Sequence, residues 1–210
     1  MPLQNRVTPF GTLIATSERG TLMGNRGCLH NDRQQIKRNY QLQRWIICVL
    51  EFKGRHRTVM RPGHYTELFF LDEATALAAS HRPCAECQRP RFNLFRETSA
   101  TANPELTNKK RLAAPVIDAW LHKERLNVNY IFGPSQSFES LPDGTFITFD
   151  DVDCYLVRNA KLLRWTPAGY EVGTISKTKS EARILTPPSI VKTLNAGYPA
   201  EFHGSGLVRF

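Results

Sequence analysis

The residues best equipped for chemistry in this chain are Cys84 and Cys87, in the stretch LAASHRPCAECQRP over positions 77–90. A C-x-x-C step on a tight turn aims two sulfurs at one ion and supplies half the ligands of a tetrahedral zinc site. The same spacing serves thiol–disulfide exchange when it opens a helix after a strand. Here it follows an Ala-rich helical run and an Arg-Pro step, which sets the redox reading aside, and two buried thiols are the bland alternative. A complete zinc site needs further donors. The chain offers Cys28 and His30 in NRGCLHN, Cys48 in WIICVLEF and His64 in RPGHY. Cys28 follows Gly27 in polar surroundings and is expected to reach out of its strand, whereas a free cysteine in an apolar run such as that of Cys48 behaves as a small hydrophobe. The expected ligands of a Zn²⁺ ion are therefore Cys28, His30, Cys84 and Cys87, with Cys48 as the alternative.

The elements that must hold these residues read as α+β, mainly antiparallel sheet with a hairpin and helices, a zinc knuckle in the N-terminal half and an α+β C-terminal extension. The division expected is a basic module over 1–100 and the extension packed on it over 101–210. The first 28 or so residues break into short β-prone runs. Trp45 to Phe52, the turn Lys53-Gly54-Arg55 and a return beginning at Thr58 to Met60 are expected to form a hairpin. HYTELFFL is a further strand. Asp72 caps a helix through Ser80, which Pro83 is expected to stop, since proline disfavours helical geometry in the residue before it. A second helix starts after Pro90 with Phe92, Leu94 and Phe95 on its apolar face, and 98–107 reads as a loop. A third spans 114–127 with a stripe of Val116, Ile117, Trp120 and Leu121. Beyond it lie strands around a Pro142-Asp143-Gly144 turn, with Cys154 as a strand residue, then a helix near Ser189 to Asn195 stopped by Gly197.

Charge narrows the class of partner. The chain of 210 residues carries a formal net charge of +9, and positions 1–100 hold 15 basic against 8 acidic side chains. Arginine predominates there, and its planar fork suits phosphate oxygens. A nucleic-acid partner is expected, DNA before RNA, contacted through Arg26, Arg55, Arg57, Arg61, Arg82, Arg89 and Arg91. An evenly spread positive charge that only keeps the protein soluble is the competing reading. No apolar run is long enough for a membrane span or a secretory leader, so no membrane partner and a cytoplasmic location are expected. There thiols stay reduced, and five cysteines at uneven spacing argue against structural disulfides.

The string FFLDEATALAASHRPCAECQRP, Phe69 to Pro90, resembles the second half of the zinc-binding domain of Ada-type DNA repair proteins, with Leu77, Ala78 and Ala79 on the helix and Arg82, Pro83, Cys84, Cys87 and Gln88 at the matching positions. In that family the domain holds zinc with four cysteines and meets the DNA backbone through basic residues. One of its cysteines takes a methyl group from a phosphotriester. The resemblance implies a zinc-dependent contact with DNA in repair or modification, with Cys28 beside Arg26 as the thiolate acceptor. The family's upstream C-x-x-x-C pair has no counterpart here. Two other readings stand beside this one. A metal-dependent nuclease or other hydrolase would centre on Asn25 to Asp32, with His64 and Glu67 following in the chain, although Asn- and Asp-rich turns are common for their own hydrogen bonding. A structural or partner-binding zinc protein would use the knuckle only to pin sheet to helix.

Overall fold

The computed structural model of the protein describes residues 1–55, 58–107, 112–127, 138–172 and 182–206. The fold is α+β, built on two sheets and four α-helices among the described residues. Short strands β1 (Gln4–Val7), β2 (Leu13–Ala15), β3 (Leu22–Asn25), β4 (Ile46–Cys48), β5 (Leu68–Phe70) and β6 (Arg82–Pro83) form the first sheet in the order β2-β1-β5-β3-β4-β6. Its joins are antiparallel except β1–β5 and β4–β6, which are parallel. Strands β7 (Phe146–Thr148), β8 (Cys154–Arg158), β9 (Lys161–Thr166), β10 (Gly169–Val172) and β11 (Arg183–Ile184) make the second, antiparallel throughout, in the order β10-β9-β8-β7-β11.

Between the sheets lies α1 (Glu73–Ala78), every residue of which is buried. Its alanines and leucine serve two cores, so the helix is enclosed on all sides. Ala76 and Leu77 pack into a core with Val7, Leu29, Ile47 and Phe70, whereas Ala74 and Ala78 join Phe146, Leu156, Leu163 and Trp165 beneath the second sheet. Asp72 caps the helix, its Oδ1 accepting the Thr75 N–H at 2.8 Å. The stop comes earlier than Pro83. Ser80 takes a left-handed conformation (φ 61°), the His81 N–H reaches the Ala76 carbonyl at 2.9 Å and the Ser80 N–H that of Leu77, a Schellman ending with serine where glycine is usual.

Helix α2 (Arg89–Ala102) buries Phe92 and Phe95 but leaves Leu94 exposed, and it runs through much of the stretch expected as loop, with a 3₁₀ turn at Pro104–Leu106. Helix α3 (Ala114–Leu126) buries Ile117, Asp118 and Leu121, while Val116 faces solvent. The stripe is thus rotated from the expected one because Asp118 turns inward to Arg82. Helix α4 (Pro188–Asn195) buries Ile190 and Leu194 in the first core and is followed by Gly197 at φ 95°.

The expected hairpin over 45–60 does not form. Strand β4 pairs with β3 on one edge and β6 on the other, so no edge remains for a return strand. Met60 instead takes φ 53° and gives its N–H to the buried Glu67 at 2.7 Å. Gly24 in β3 shows how tightly the first sheet is covered: a Cβ there would meet the Phe70 ring at 2.3 Å.

Candidate metal centre

Two separate segments bring three sulfurs together. Strand β4 runs parallel to β6 in the register Ile46–Arg82 and Ile47–Pro83, so the residue after each pair, Cys48 on one side and Cys84 on the other, continues along the same line. The Cys84 N–H donates to the Ile47 carbonyl at 2.9 Å, and the Gln88 side-chain amide donates to the same oxygen at 2.9 Å. The chain then turns through Ala85 and Glu86, and the Gln88 N–H closes the turn on the Cys84 carbonyl at 3.1 Å. The sulfurs of Cys48, Cys84 and Cys87 lie within 4.8 Å of one another. Zn–S bonds of about 2.3 Å place two tetrahedral sulfurs about 3.8 Å apart, so a small inward rotation of the side chains closes the set on an ion.

The electrostatics favour negative sulfur at Cys84. The Glu86 N–H donates to Cys84 Sγ at 3.4 Å. Hydrogen bonds from Cys48 and then Cys87 hold the Cys84 thiol below its usual range, against the opposing effect of burial. Cys48 is pushed up by donating to Cys84 and to Cys87, and by its own burial. At Cys87 the bond from Cys48 pulls down, but the bond to Cys84 and burial outweigh it. Cys84 is thus the sulfur most readily deprotonated, and a soft dication displaces the protons of the trio to gain anionic ligands. The structure brings together three cysteines able to hold a metal ion.

A cavity of about 550 Å³ opens beside them, lined among others by Arg44, Phe52, Arg55, Tyr65 and Phe69. Arg82 and Asp118 sit in its floor as a buried ion pair, Nε to Oδ1 at 2.9 Å and Nη2 to Oδ2 at 2.8 Å, tying β6 to α3 directly beside the knuckle. Removing either partner would strand a charge in the interior, a cost of about 3–5 kcal/mol.

Cys28 and His30 stand outside this group of sulfurs. The Cys28 S–H points to the His30 carbonyl at 3.6 Å and its N–H to Gln41 Oε1 at 2.7 Å. Both ring nitrogens of His30 are used inside the fold. The Arg61 carbonyl can only accept, so Nε2 donates to it at 3.3 Å and Nδ1 accepts from the Thr66 hydroxyl at 2.6 Å, whose oxygen also accepts the Leu29 N–H. Cys48, the alternative donor, is the cysteine that joins Cys84 and Cys87. The signal for it lay in pairing partners, since only the parallel β4–β6 register lines Cys48 up with Cys84.

The arginines divide. Arg55, Arg61 and Arg89 are at the surface, Arg55 paired with Glu86 at 3.0 Å. Arg26 and Arg82 are buried, and Arg91 pairs with Glu73 and Glu201. Arg57 and its neighbour His56 lie outside the described residues. In the Asn25–Asp32 stretch the side chains form turns: Asn25 Oδ1 accepts the Gly27 N–H, and Asn31 Oδ1 accepts those of Arg33 and Gln35. His64 is exposed, and Glu67 is engaged with Met60. Among the described residues no helix is long and apolar enough to cross a membrane.

No family model, curated protein or solved structure matches the chain. The likeness to the Ada-type domain therefore rests on its own residues.

Proposed function

We propose that this is a zinc protein in which Cys48, Cys84 and Cys87 hold Zn²⁺, and that the cationic rim of the neighbouring cavity contacts a nucleic-acid backbone, DNA in first place. The observation that carries the reading is the convergence of three sulfurs from β4 and the knuckle. All-sulfur donors disfavour magnesium and calcium and favour zinc among the metals commonly available. Three protein ligands leave one tetrahedral position to a further donor, and the cavity has room for it. Arg44 and Arg55 line that cavity beside Phe52, Tyr65 and Phe69, a mixture of cations and rings that suits phosphates and unstacked bases. The Ada-type resemblance points in the same direction. Of the three clustered cysteines only Cys87 is more than marginally exposed, so a thiolate acting on a bound molecule is best sought there.

The test is metal content. Protein purified without chelator should contain stoichiometric zinc, retain it in Cys28→Ser and lose it in Cys48→Ser, Cys84→Ser and Cys87→Ser. Wild-type protein that neither contains zinc nor takes it up would sink the reading. For the nucleic-acid half, DNA affinity should fall with salt, and Arg44→Ala should flatten the log–log slope by about one unit. Zinc bound without any salt-dependent DNA affinity would favour a second reading, that the metal only staples β4 to β6 and α2. The hydrogen bonds of Cys84 and Gln88 to Ile47 already follow that line.

A further inference from the structure

On the other face of β4 lies a second cavity, of about 470 Å³, which shares no lining residue with the first. Alternation along the strand explains the separation: Arg44 and Ile46 line one cavity and Trp45 the other. Its walls include Phe10, Leu185 and Pro187, and exposed Asn39, Tyr40, Leu126 and Asn127 form its rim.

Two guanidinium groups lie over the Trp45 ring in this cavity. The Arg26 Cζ lies 4.4 Å and the Arg125 Cζ 4.0 Å from the centre of the indole. Arg26 is only 1 % exposed, yet among the described residues no carboxylate pairs with it. Its Nη2 donates to the Gly11 carbonyl at 3.1 Å and its buried Nε has no partner among the described residues. Arg125 spends Nη1 on His122 Nδ1 at 3.1 Å and Nη2 on the carbonyls of Gln43 and Ser80, and its Nε is also buried without a partner. The other charged groups of the cavity are committed elsewhere. Glu124 accepts from Ser189 and Trp120, and Arg183 pairs with Asp151.

An isolated buried cation is costly, and arginine does not readily escape the cost by losing its proton. Arg125 has Asp118 and Glu124 within electrostatic reach, whereas Arg26 has no counter-charge among the described residues, so positive charge is left over on this indole. We propose that this cavity binds a small phosphate monoester bearing a planar ring, with the phosphate beside the partly exposed Arg125 and in the field of the buried Arg26, and the ring against Tyr40 and Phe10. A phosphate dianion supplies the negative charge that Arg26 lacks. The volume falls in the range of small-molecule sites and holds a ligand of mononucleotide size.

Calorimetric titration of the full chain with AMP, adenosine, inorganic phosphate and benzoate tests this. AMP should bind, phosphate more weakly, and adenosine not measurably at about 1 mM. Arg26→Met and Arg125→Met should each weaken AMP roughly tenfold to a hundredfold. Without ligand, Arg26→Met should melt higher than wild type, since it removes the uncompensated charge, and AMP should raise the melting temperature of wild type alone. Tyr40→Ala, at the exposed rim, keeps the fold testable and should weaken AMP severalfold while leaving inorganic phosphate unchanged. The proposal is overturned by the absence of both AMP and phosphate binding, by AMP affinities equal in wild type and both arginine variants, or by benzoate binding more tightly than AMP.

Discussion

His81 shows how strongly one buried side chain couples this fold to pH. It has no exposed surface, packs against Trp45 at 5.0 Å and Phe70 at 4.8 Å between ring centres, and donates from Nδ1 to the Ala79 carbonyl at 2.8 Å. Its Nε2 is buried without a partner among the described residues. Burial, then the positive charges of Arg26 and Arg125, hold its pKa well below the usual value. The unfolded chain therefore binds a proton here at a higher pH than the folded one. Stability is retained above about pH 6.5 and lost as pH falls towards the folded-state value, by up to about 1.4 kcal/mol per unit. Thermal denaturation between about pH 7.5 and 5.5 should show that decline, and His81→Phe should flatten it. A pH profile unchanged by the substitution would mean that the imidazole does not stay neutral.

Among the elements, the β8–β9 hairpin carries a local conflict that can be relieved. Arg158 pairs with Lys161, leaving Asn159 and Ala160 as a two-residue loop with φ values of 49° and 54°. Both central residues of such a turn need positive φ, which asparagine tolerates and alanine resists. Ala160→Gly creates the favoured Asn-Gly pair and should stabilise the protein by about 0.5–1 kcal/mol in urea titrations. The turn lies outside both cavity linings, so zinc content should not change. The same reasoning separates Ser80, another non-glycine residue at positive φ, because its carbonyl accepts from Arg125 and a change there would disturb the second cavity.

The whole molecule is held by contacts that are distant in sequence. Asp72 and Glu73, adjacent at the start of α1, both fasten the C-terminal segment: Asp72 Oδ2 accepts from the Tyr170 hydroxyl at 2.7 Å and the His203 N–H at 2.9 Å, and Glu73 accepts from the Tyr198 hydroxyl at 2.6 Å and the Glu201 N–H at 3.0 Å. Burial pushes both carboxyls up, and these donors, with Arg91 at Glu73, oppose it. The first core likewise draws Val7 and Phe70 together with Ile117, Leu121, Ile190, Leu194 and Tyr198. Leu194→Ala should cost about 2–5 kcal/mol, read from chemical denaturation, because it opens a cavity in that core. A chain ended after Pro187 should lose cooperative unfolding altogether, since the first core would lose Ile190, Leu194 and Tyr198, and Glu73 its donors from Tyr198 and Glu201. A truncated chain that melts as wild type does would show the C-terminal segment to be an accessory.

Local signals in the amino-acid chain were enough for the α+β class, the Asp72 cap, the helices after Pro90, Ala114 and Pro187, the Gly197 stop and the strand around Cys154. Each depends on residues within a turn or two of one another, where capping, proline geometry and periodicity act. The C-x-x-C knuckle was legible for the same reason. Its third sulfur was legible only as an alternative: Cys48 reads as one more apolar strand residue until β4 pairs in parallel with β6, and Cys28 looks the better donor in its polar turn. Likewise Arg26 and Arg82 read as surface cations, but one stacks on Trp45 and the other meets Asp118 from a helix 36 residues on. Parallel pairing and buried ion pairs join segments with no local relation, and the balance of burial against partner charge that selects them exists only once the chain has folded.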